Sequence, residues 1–525
     1  SQESCTLTLR SPMSEAGLDD EEEFVDLLDE RRRGSDLSFA FKTFSPWPYK
    51  GALSCSTADL NKAVLESHFL RHVAKEVAAE TGSSVEEVKE DALGILEEMS
   101  QNLQLGFIRL MAYMLTKVFK RLFSGIFVNM EGLNMLQQAT QESPVILMPN
   151  HRSYVDFLAI SYILFSYDIP IPVIAAGIPL AGMKIVGEIL RRSGAFFIRR
   201  AIGSDKLYWA VLSEYIKTIV RKGFAPVEFY VEGLRSRTLK SLVPKLGMMH
   251  MVLEPYFKGE VFDITLVPVS ISYDRVLEES LLAHELLGVP KPKESTTGLL
   301  KASKVLQEAY GSMHVNFGRP LSVRRLCEGK INRCQYNLVP RDLPRKPSAE
   351  VQACVSWLAH LTVRVQEEGS VISPWSLMAC LLLQAPAAVL SEEGLLWHQL
   401  KEKTLWLRKL ALDLGDFEEA IALLKKCGAV HVGQQEVTAS DWEVLSFLQT
   451  LLRPFIDSYQ VTFRCLCEDG PNVFSEKQLL PAVRKLATKL ILSGELGTYE
   501  ALSWDVQKNV LSALRRLETL TKLRT

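Results

Sequence analysis

The sequence predicts an α/β protein: a domain with a mixed sheet flanked by helices over residues 128–338, preceded by a helical segment at 60–127 and followed by a mostly helical region at 339–525. Three observations predict it. Between 128 and 323, apolar runs of strand length alternate with helical stretches, the pattern of a largely parallel or mixed sheet with crossover helices. On both sides of that block the apolar residues recur at helical spacing. The stretch VPRDLPRKPSA (Val339–Ala349), rich in Pro and Arg, marks a linker behind the sheet domain.

Taken in order, residues 1–59 form a polar lead that turns acidic at DDEEEFVDLLDE and breaks into turns at SPWPYKGALSCSTAD. It shows no secretory signal pattern. In ETGSSVEEVKEDALGILEEM, Ser84 is followed by Glu87 three residues on, the spacing of a helix capping box. Leu105–Phe123 (LGFIRLMAYMLTKVFKRLF) is a helix on which Arg109, Lys117, Lys120 and Arg121 fall within about 120° of one another. Such a helix either lies in an anionic lipid interface or packs on the next domain with a solvated basic edge. Strands are then expected in SPVILMPN, IPVIAA, GAFFIRR, PVEFYVEG and DITLVPVSISYD, with helices at SYVDFLAISYILF, through Leu190, at KLYWAVLSEYIKTIVRKG and near Lys245–Phe257. Past the linker, WLRKLALDLGDFEEAIALLKK and AVRKLATKLIL read as helices and Lys425–Val437 as a small hairpin. No apolar run approaches the roughly 20 residues a membrane-spanning helix needs.

Composition narrows the function. The chain has 525 residues, 47% hydrophobic and 23% charged, the balance of a folded globular protein. Sixty basic residues against 62 acidic ones leave a net charge of −2, which argues against a general nucleic-acid binder and confines any anion site to a local cluster. Nine scattered cysteines, without a C-x-x-C pair or nearby histidine spacing, point to reduced thiols and no structural metal.

Chemistry concentrates in three stretches. In VILMPNHRSYVD, Pro149 ends a strand and Ser153 can begin a helix, which places His151 in a strand-to-helix loop and Asp156 one to two turns inside the helix. The H-x-x-x-x-D spacing lets Asp156 hold one imidazole nitrogen so that the other accepts a proton, a general base with its orienter. Alone, the spacing equally fits a histidine and an acid capping a helix. Backbone N–H groups at the helix start, Arg152 to Tyr154, are candidate donors to an oxyanion. SGAFFIRR sets Gly194 in a tight turn before a strand that delivers Arg199 and Arg200, of which one faces the site and the other packing or solvent. FYVEGLRSR places Glu232, Gly233, Arg235 and Arg237 after another strand, and guanidinium groups grip phosphate oxygens. Each arginine stretch alone also fits a solvated surface turn.

In this order on one α/β domain, NHRSYVD, GAFFIRR, YVEGLRSR and LVPVSISY resemble the four blocks of the glycerolipid acyltransferase superfamily, which transfers acyl groups from acyl-CoA to glycerol phosphates. Longer matches, in KLYWAVLSEYIKTIVRKGFAPVEFYVEG, VPVSISYDRVLEESLLAHELLGVPKPKESTTGLLKA and SPWSLMACLLLQ, resemble the glycerol-3-phosphate/dihydroxyacetone phosphate acyltransferase family, in particular its peroxisomal branch of ether-lipid synthesis. The likeness runs from about Glu23 to LSWDVQKNVLSALRRL. It implies His151 as base and Asp156 as its partner. Arg152, Ser153, Gly194, Phe197, Arg199, Arg200, Glu232, Gly233, Arg235, Arg237 and Pro268 would form the substrate site, with Glu232 orienting Arg235 or Arg200 and Pro268 on the acyl or CoA side. It also implies long-chain acyl-CoA as co-substrate with no further cofactor or metal, and dihydroxyacetone phosphate as acceptor, with glycerol 3-phosphate as the alternative. A membrane surface and alkyl-dihydroxyacetone phosphate synthase are the implied partners, and peripheral attachment to the lumenal side of the peroxisomal membrane the implied location. The chain departs from the family pattern at Leu234, where many relatives carry a small polar residue, and its last three residues are not an S-K-L address. A protein that keeps this fold as a non-catalytic lipid-surface scaffold is the reading from another class.

Overall fold

A computed structural model describes residues 24–177, 184–199, 203–236, 240–278, 309–331, 347–384, 394–410, 430–432, 436–468, 476–497, 500–502, 507, 510 and 511, less positions 48, 51, 53 and 54. The chain enters as a short strand β1 (Phe24–Asp26), with helices α1 (Leu27–Arg33) and α2 (Asp36–Ala40). Helices α3 (Thr57–Leu65), α4 (His68–Thr81), α5 (Val85–Met99) and α6 (Leu105–Leu122) follow. The Ser84 hydroxyl and the Glu87 carboxylate close the expected capping box at the start of α5.

The central domain then runs β2 (Gly125–Asn129), α7 (Met130–Glu142), β3 (Val145–Pro149), α8 (Asp156–Ser166), β4 (Val173–Gly177), α9 (Lys184–Arg192), β5 (Ala195–Ile198), α10 (Lys206–Lys222), β6 (Val227–Glu228), α11 (Leu246–Phe257), β7 (Thr265–Tyr273), β8 (Ser312–Phe317), β9 (Leu321–Ser322) and α12 (Val323–Cys327). Its strands form one nine-stranded sheet in the order β1-β2-β8-β7-β3-β6-β4-β5, with β9 beside β7. The centre β7-β3-β6-β4-β5 is parallel, and β1, β8 and β9 add antiparallel pairings. The sheet is therefore mixed. The strand β1, cut from the lead, pairs with β2 and extends the sheet by one edge.

Side chains alternate across the pleat and split the apolar interior in two. Ile146, Met148, Val227, Phe229 and Leu266 pack with α3, α4, α5, α10 and α11 on one face. Val145, Leu147, Val267 and Val269 pack with α6, α7 and α8 on the other. The apolar run of α8, buried through Ile163, Leu164 and Phe165, lies in this second core.

Beyond residue 347 come α13 (Ala349–Glu368), α14 (Pro374–Leu382), β10 (Leu395–Leu396), α15 (Trp397–Leu410), β11 (Val430–Val432), β12 (Glu436–Ala439), α16 (Trp442–Glu468) and α17 (Glu476–Leu492). The small sheet β10-β12-β11 contains the expected hairpin of β11 with β12. Helix α13 docks on the central sheet: the Gln366 amide donates to the Met148 carbonyl at 2.6 Å, and the Ser270 hydroxyl donates to the Gln366 carbonyl at 2.6 Å. The stretch Ala411–Lys425, expected to continue a helix, lies outside the described residues.

Candidate active site

The parallel strands end on one side of the sheet, where crevices collect ligands in α/β folds. At that end of β3, Asn150 continues the ladder with its side chain, accepting from Ile271 N–H at 2.8 Å and donating to the Ile271 carbonyl at 3.2 Å. His151 follows directly. Its Nδ1 lies 2.9 Å from Asp156 Oδ2; the carboxylate is fully buried, and 17% of the imidazole is exposed. Asp156 Oδ2 also accepts from the N–H groups of Arg152 (2.8 Å) and Ser153 (3.0 Å), and Oδ1 accepts from the Tyr273 hydroxyl at 2.7 Å. Four donors thus fix one carboxylate, which fixes one face of the imidazole and leaves Nε2 as the nitrogen with access.

This geometry corrects the expected helix start. Asp156 is the first residue of α8 and not one to two turns inside it, because its side chain folds back on the N–H groups of Arg152 and Ser153 and holds them in a turn. It also removes the expected oxyanion donors. The N–H of His151 is bound by Glu232, those of Arg152 and Ser153 by Asp156, and that of Tyr154 by Glu278 at 2.7 Å.

The segment from β6 to Glu232 supplies the floor. Val227, Phe229 and Val231 enter the first core, so the alternate residues Glu228, Tyr230 and Glu232 belong to the opposite side, beneath the histidine loop. The Tyr230 ring stacks on His151 with centroids 4.2 Å apart. Glu232 binds Arg152 Nη1 at 2.9 Å and accepts the N–H groups of His151 and Leu242. Among the described residues its partner is therefore Arg152 and not Arg235, because the histidine loop lies directly over it. Arg152 and Ser153 are buried, the first paired to Glu232, the second donating its hydroxyl to Glu278. Burial pushes the Glu278 carboxyl up, against the pull of Tyr154 N–H, Arg235 and Ser153.

Of the other candidates, Arg235 lies with its guanidinium 4.9 Å above the Tyr154 ring, and its Nε and Nη1 have no hydrogen-bond partner among the described residues. Arg199 is drawn away, binding Glu98 of α5 through Nε and Nη2 and lying over Tyr208. Gly194 sits at the opposite end of the parallel strands, where its φ of +102° and the closeness of Leu103 and the Pro172 carbonyl exclude a side chain. Phe197 is buried beside Phe157 and Leu190, and Pro268 within β7 opposite Met148. Gly233, at φ +69°, makes the turn that brings Lys245 close. Arg200 and Arg237 lie outside the described residues.

Residues 127–272 match the Acyltransferase family, and residues 282–415 and 414–522 match the glycerol-3-phosphate acyltransferase C-terminal region. The chain is 41% identical to the dihydroxyacetone phosphate acyltransferase of Homo sapiens, over 95% of this chain and 90% of the relative. It belongs to the dihydroxyacetone phosphate acyltransferase family. The mouse member is 40% identical over the same shares. A glycerol-3-phosphate acyltransferase of Pseudomonas syringae pv. tomato is 34% identical over 64% of this chain and 39% of its own length.

Within this acyltransferase family member, four residues around the histidine escape the sequence reading. Tyr230 and Glu228 are signalled by the alternation V-E-F-Y-V-E, in which every second residue is polar or amphipathic. Tyr273 closes the fourth block. Glu278 has no local signal, because its partners Ser153 and Tyr154 lie more than a hundred residues away.

Proposed function

We propose that this chain transfers an acyl group from long-chain acyl-CoA to the primary hydroxyl of dihydroxyacetone phosphate, giving 1-acyl-dihydroxyacetone phosphate for ether-lipid synthesis. The observation that carries the reading is the pair His151–Asp156, an accessible imidazole on a fully buried, fully donated carboxylate. His151 Nε2 takes the proton of the acceptor hydroxyl as its oxygen attacks the thioester carbonyl. The imidazolium returns that proton to the departing CoA thiolate, and Asp156 stabilises the cation meanwhile. A base so placed contributes roughly 10²- to 10⁴-fold. The route calls on no metal.

Among the described candidate arginines, Arg235 has buried Nε and Nη1 donors without a partner, which supports it as the grip on the acceptor phosphate. Arg152 and Arg199 are spent on Glu232 and Glu98. Glycerol 3-phosphate presents the same phosphate and primary hydroxyl, and the likeness to the Pseudomonas enzyme keeps it as the second acceptor. Side-by-side assays with both acceptors and a long-chain acyl-CoA, with His151→Ala as blank, decide between them. Preference for the ketone supports the reading, preference for glycerol 3-phosphate changes the acceptor, and no turnover by folded protein returns the scaffold.

Membrane contact is proposed on α6 at the outer flank of its basic arc, where Leu110 and Met114 lie on either side of Arg121. Lys117 reaches Asp36 of α2 at 2.6 Å, Lys120 binds the other Asp36 oxygen, and Arg109 donates to the Lys42 carbonyl, so the lead segment engages one side of that arc while Lys117 and Arg121 stay exposed. That outer flank exposes Leu110 (54%) and Met114 (50%). Among the described residues no helix is long and apolar enough to cross a membrane. We place this stripe on a lipid surface, with the lumenal face of the peroxisomal membrane as the expected location and alkyl-dihydroxyacetone phosphate synthase as the expected partner. Leu110→Glu with Met114→Glu should abolish flotation with anionic liposomes; unchanged flotation rejects the stripe.

A further inference from the structure

Beneath the histidine loop lies an acid that the acyl-transfer route does not use. Glu228 is fully buried on β6, its backbone registered between Leu147 of β3 and Ile174 of β4. Its Oε1 accepts from the Tyr230 hydroxyl at 3.3 Å, and its Oε2 has no partner among the described residues. The Tyr230 ring in turn stacks on His151. The titratable groups around it are Asp156 at the start of α8, Tyr230 on its own segment and Tyr273 on β7, and among the described residues no cation reaches it.

A lone carboxylate in such a place would cost several kcal/mol, and a second anion beside Asp156 would cost more. The neutral acid escapes both. Burial, with Asp156 adding to it, raises Glu228 well above the ordinary carboxyl range, in line with that argument.

We propose that Glu228 is a positioning residue for the acyl transfer: an uncharged buried acid that anchors the Tyr230 hydroxyl, so that the Tyr230 ring holds the His151 imidazole flat against it. Asp156 fixes the edge of the imidazole and Tyr230 fixes its face. Together they leave Nε2 one direction.

This inference rests on His151 serving as the base of the proposed reaction, so its test includes a readout independent of turnover. The pH dependence of His151 modification by diethyl pyrocarbonate, followed by peptide mass spectrometry, reports the imidazole whether or not the enzyme turns over. Glu228→Gln, neutral and of the same shape, should leave that profile and kcat within about twofold of the parent, a difference of about 0.4 kcal/mol. A profile moved to lower pH in Glu228→Gln would show that an anion had been removed and would overturn the proposal. Glu228→Met and Tyr230→Phe should each lower kcat about tenfold with the acceptor KM unchanged, and the double variant should lose no more than either alone. Full additivity, or parental kcat in folded Glu228→Met, would leave Glu228 a packing residue and sink the idea. Tyr230→Phe keeps the test open should Glu228→Met fail to fold. Absence of turnover in the parent with the predicted modification profiles would count against the acyltransfer reading and not against the uncharged acid.

Discussion

Tyr273 donates its hydroxyl to Asp156 Oδ1 at 2.7 Å, on the carboxylate oxygen opposite the one that holds His151. Tyr273→Phe removes a hydrogen bond to a charged group and leaves one carboxylate oxygen dry. We expect kcat to fall about tenfold, close to about 1.4 kcal/mol, with KM for both substrates unchanged. A steady-state comparison of the two proteins checks it; equal kcat would remove Tyr273 from the pair.

Asp156→Asn tests charge apart from orientation. Arg152 and Ser153 N–H both point at Oδ2, so the amide oxygen takes that place and still accepts from His151. The tautomer survives and the negative charge does not. The expected loss is therefore nearer about 10² than the 10⁴ of a misoriented imidazole, and the acid limb of the pH–rate profile moves to lower pH. A loss with an unmoved profile would favour misorientation.

Removal of Glu232 strands a buried Arg152. Glu232→Ala should destabilise the fold by about 3 to 5 kcal/mol, and replacing the pair together, Glu232→Leu with Arg152→Met, should recover part of it. Denaturant melts of the single and double variants would show the recovery or deny it.

His314 on β8 stacks on Phe127 with centroids 5.0 Å apart and meets Phe24 edge-on at 5.9 Å, and burial lowers its pKa to about 4. The unfolded chain then binds a proton near pH 6.5 that the folded chain refuses until about 4. Stability is thus fully present above the unfolded value and is lost as pH falls through that window, by about 1.4 kcal/mol per unit for this one group. His314→Phe should flatten the melting temperature between those pH values relative to the parent. Parallel curves would exclude His314 as a source of acid sensitivity.

The strands and helices of the central domain were legible because apolar runs change period there, from two to about three and a half residues. The capping box at Ser84 was legible because its two partners are three residues apart. His151 and Asp156 were legible for the same reason, being local. What the sequence hid is set by tertiary partners. Arg199 looked as available for phosphate as its neighbour until Glu98, on a helix a hundred residues earlier, claimed it. The basic arc of α6 looked like a lipid face until Asp36 neutralised two of its lysines. Glu278 could not have been chosen among 62 acids, because nothing near it in sequence marks its role.

The Met148 carbonyl, one residue before the strand ends, takes its hydrogen bond from Gln366, 218 residues downstream. The histidine loop is thus suspended from a helix made much later in synthesis. A chain emerging from the ribosome has its histidine early, but the hydrogen bond that steadies the end of its strand forms only once residue 366 has cleared the exit. The acyltransferase thus completes this contact only once most of its polypeptide exists.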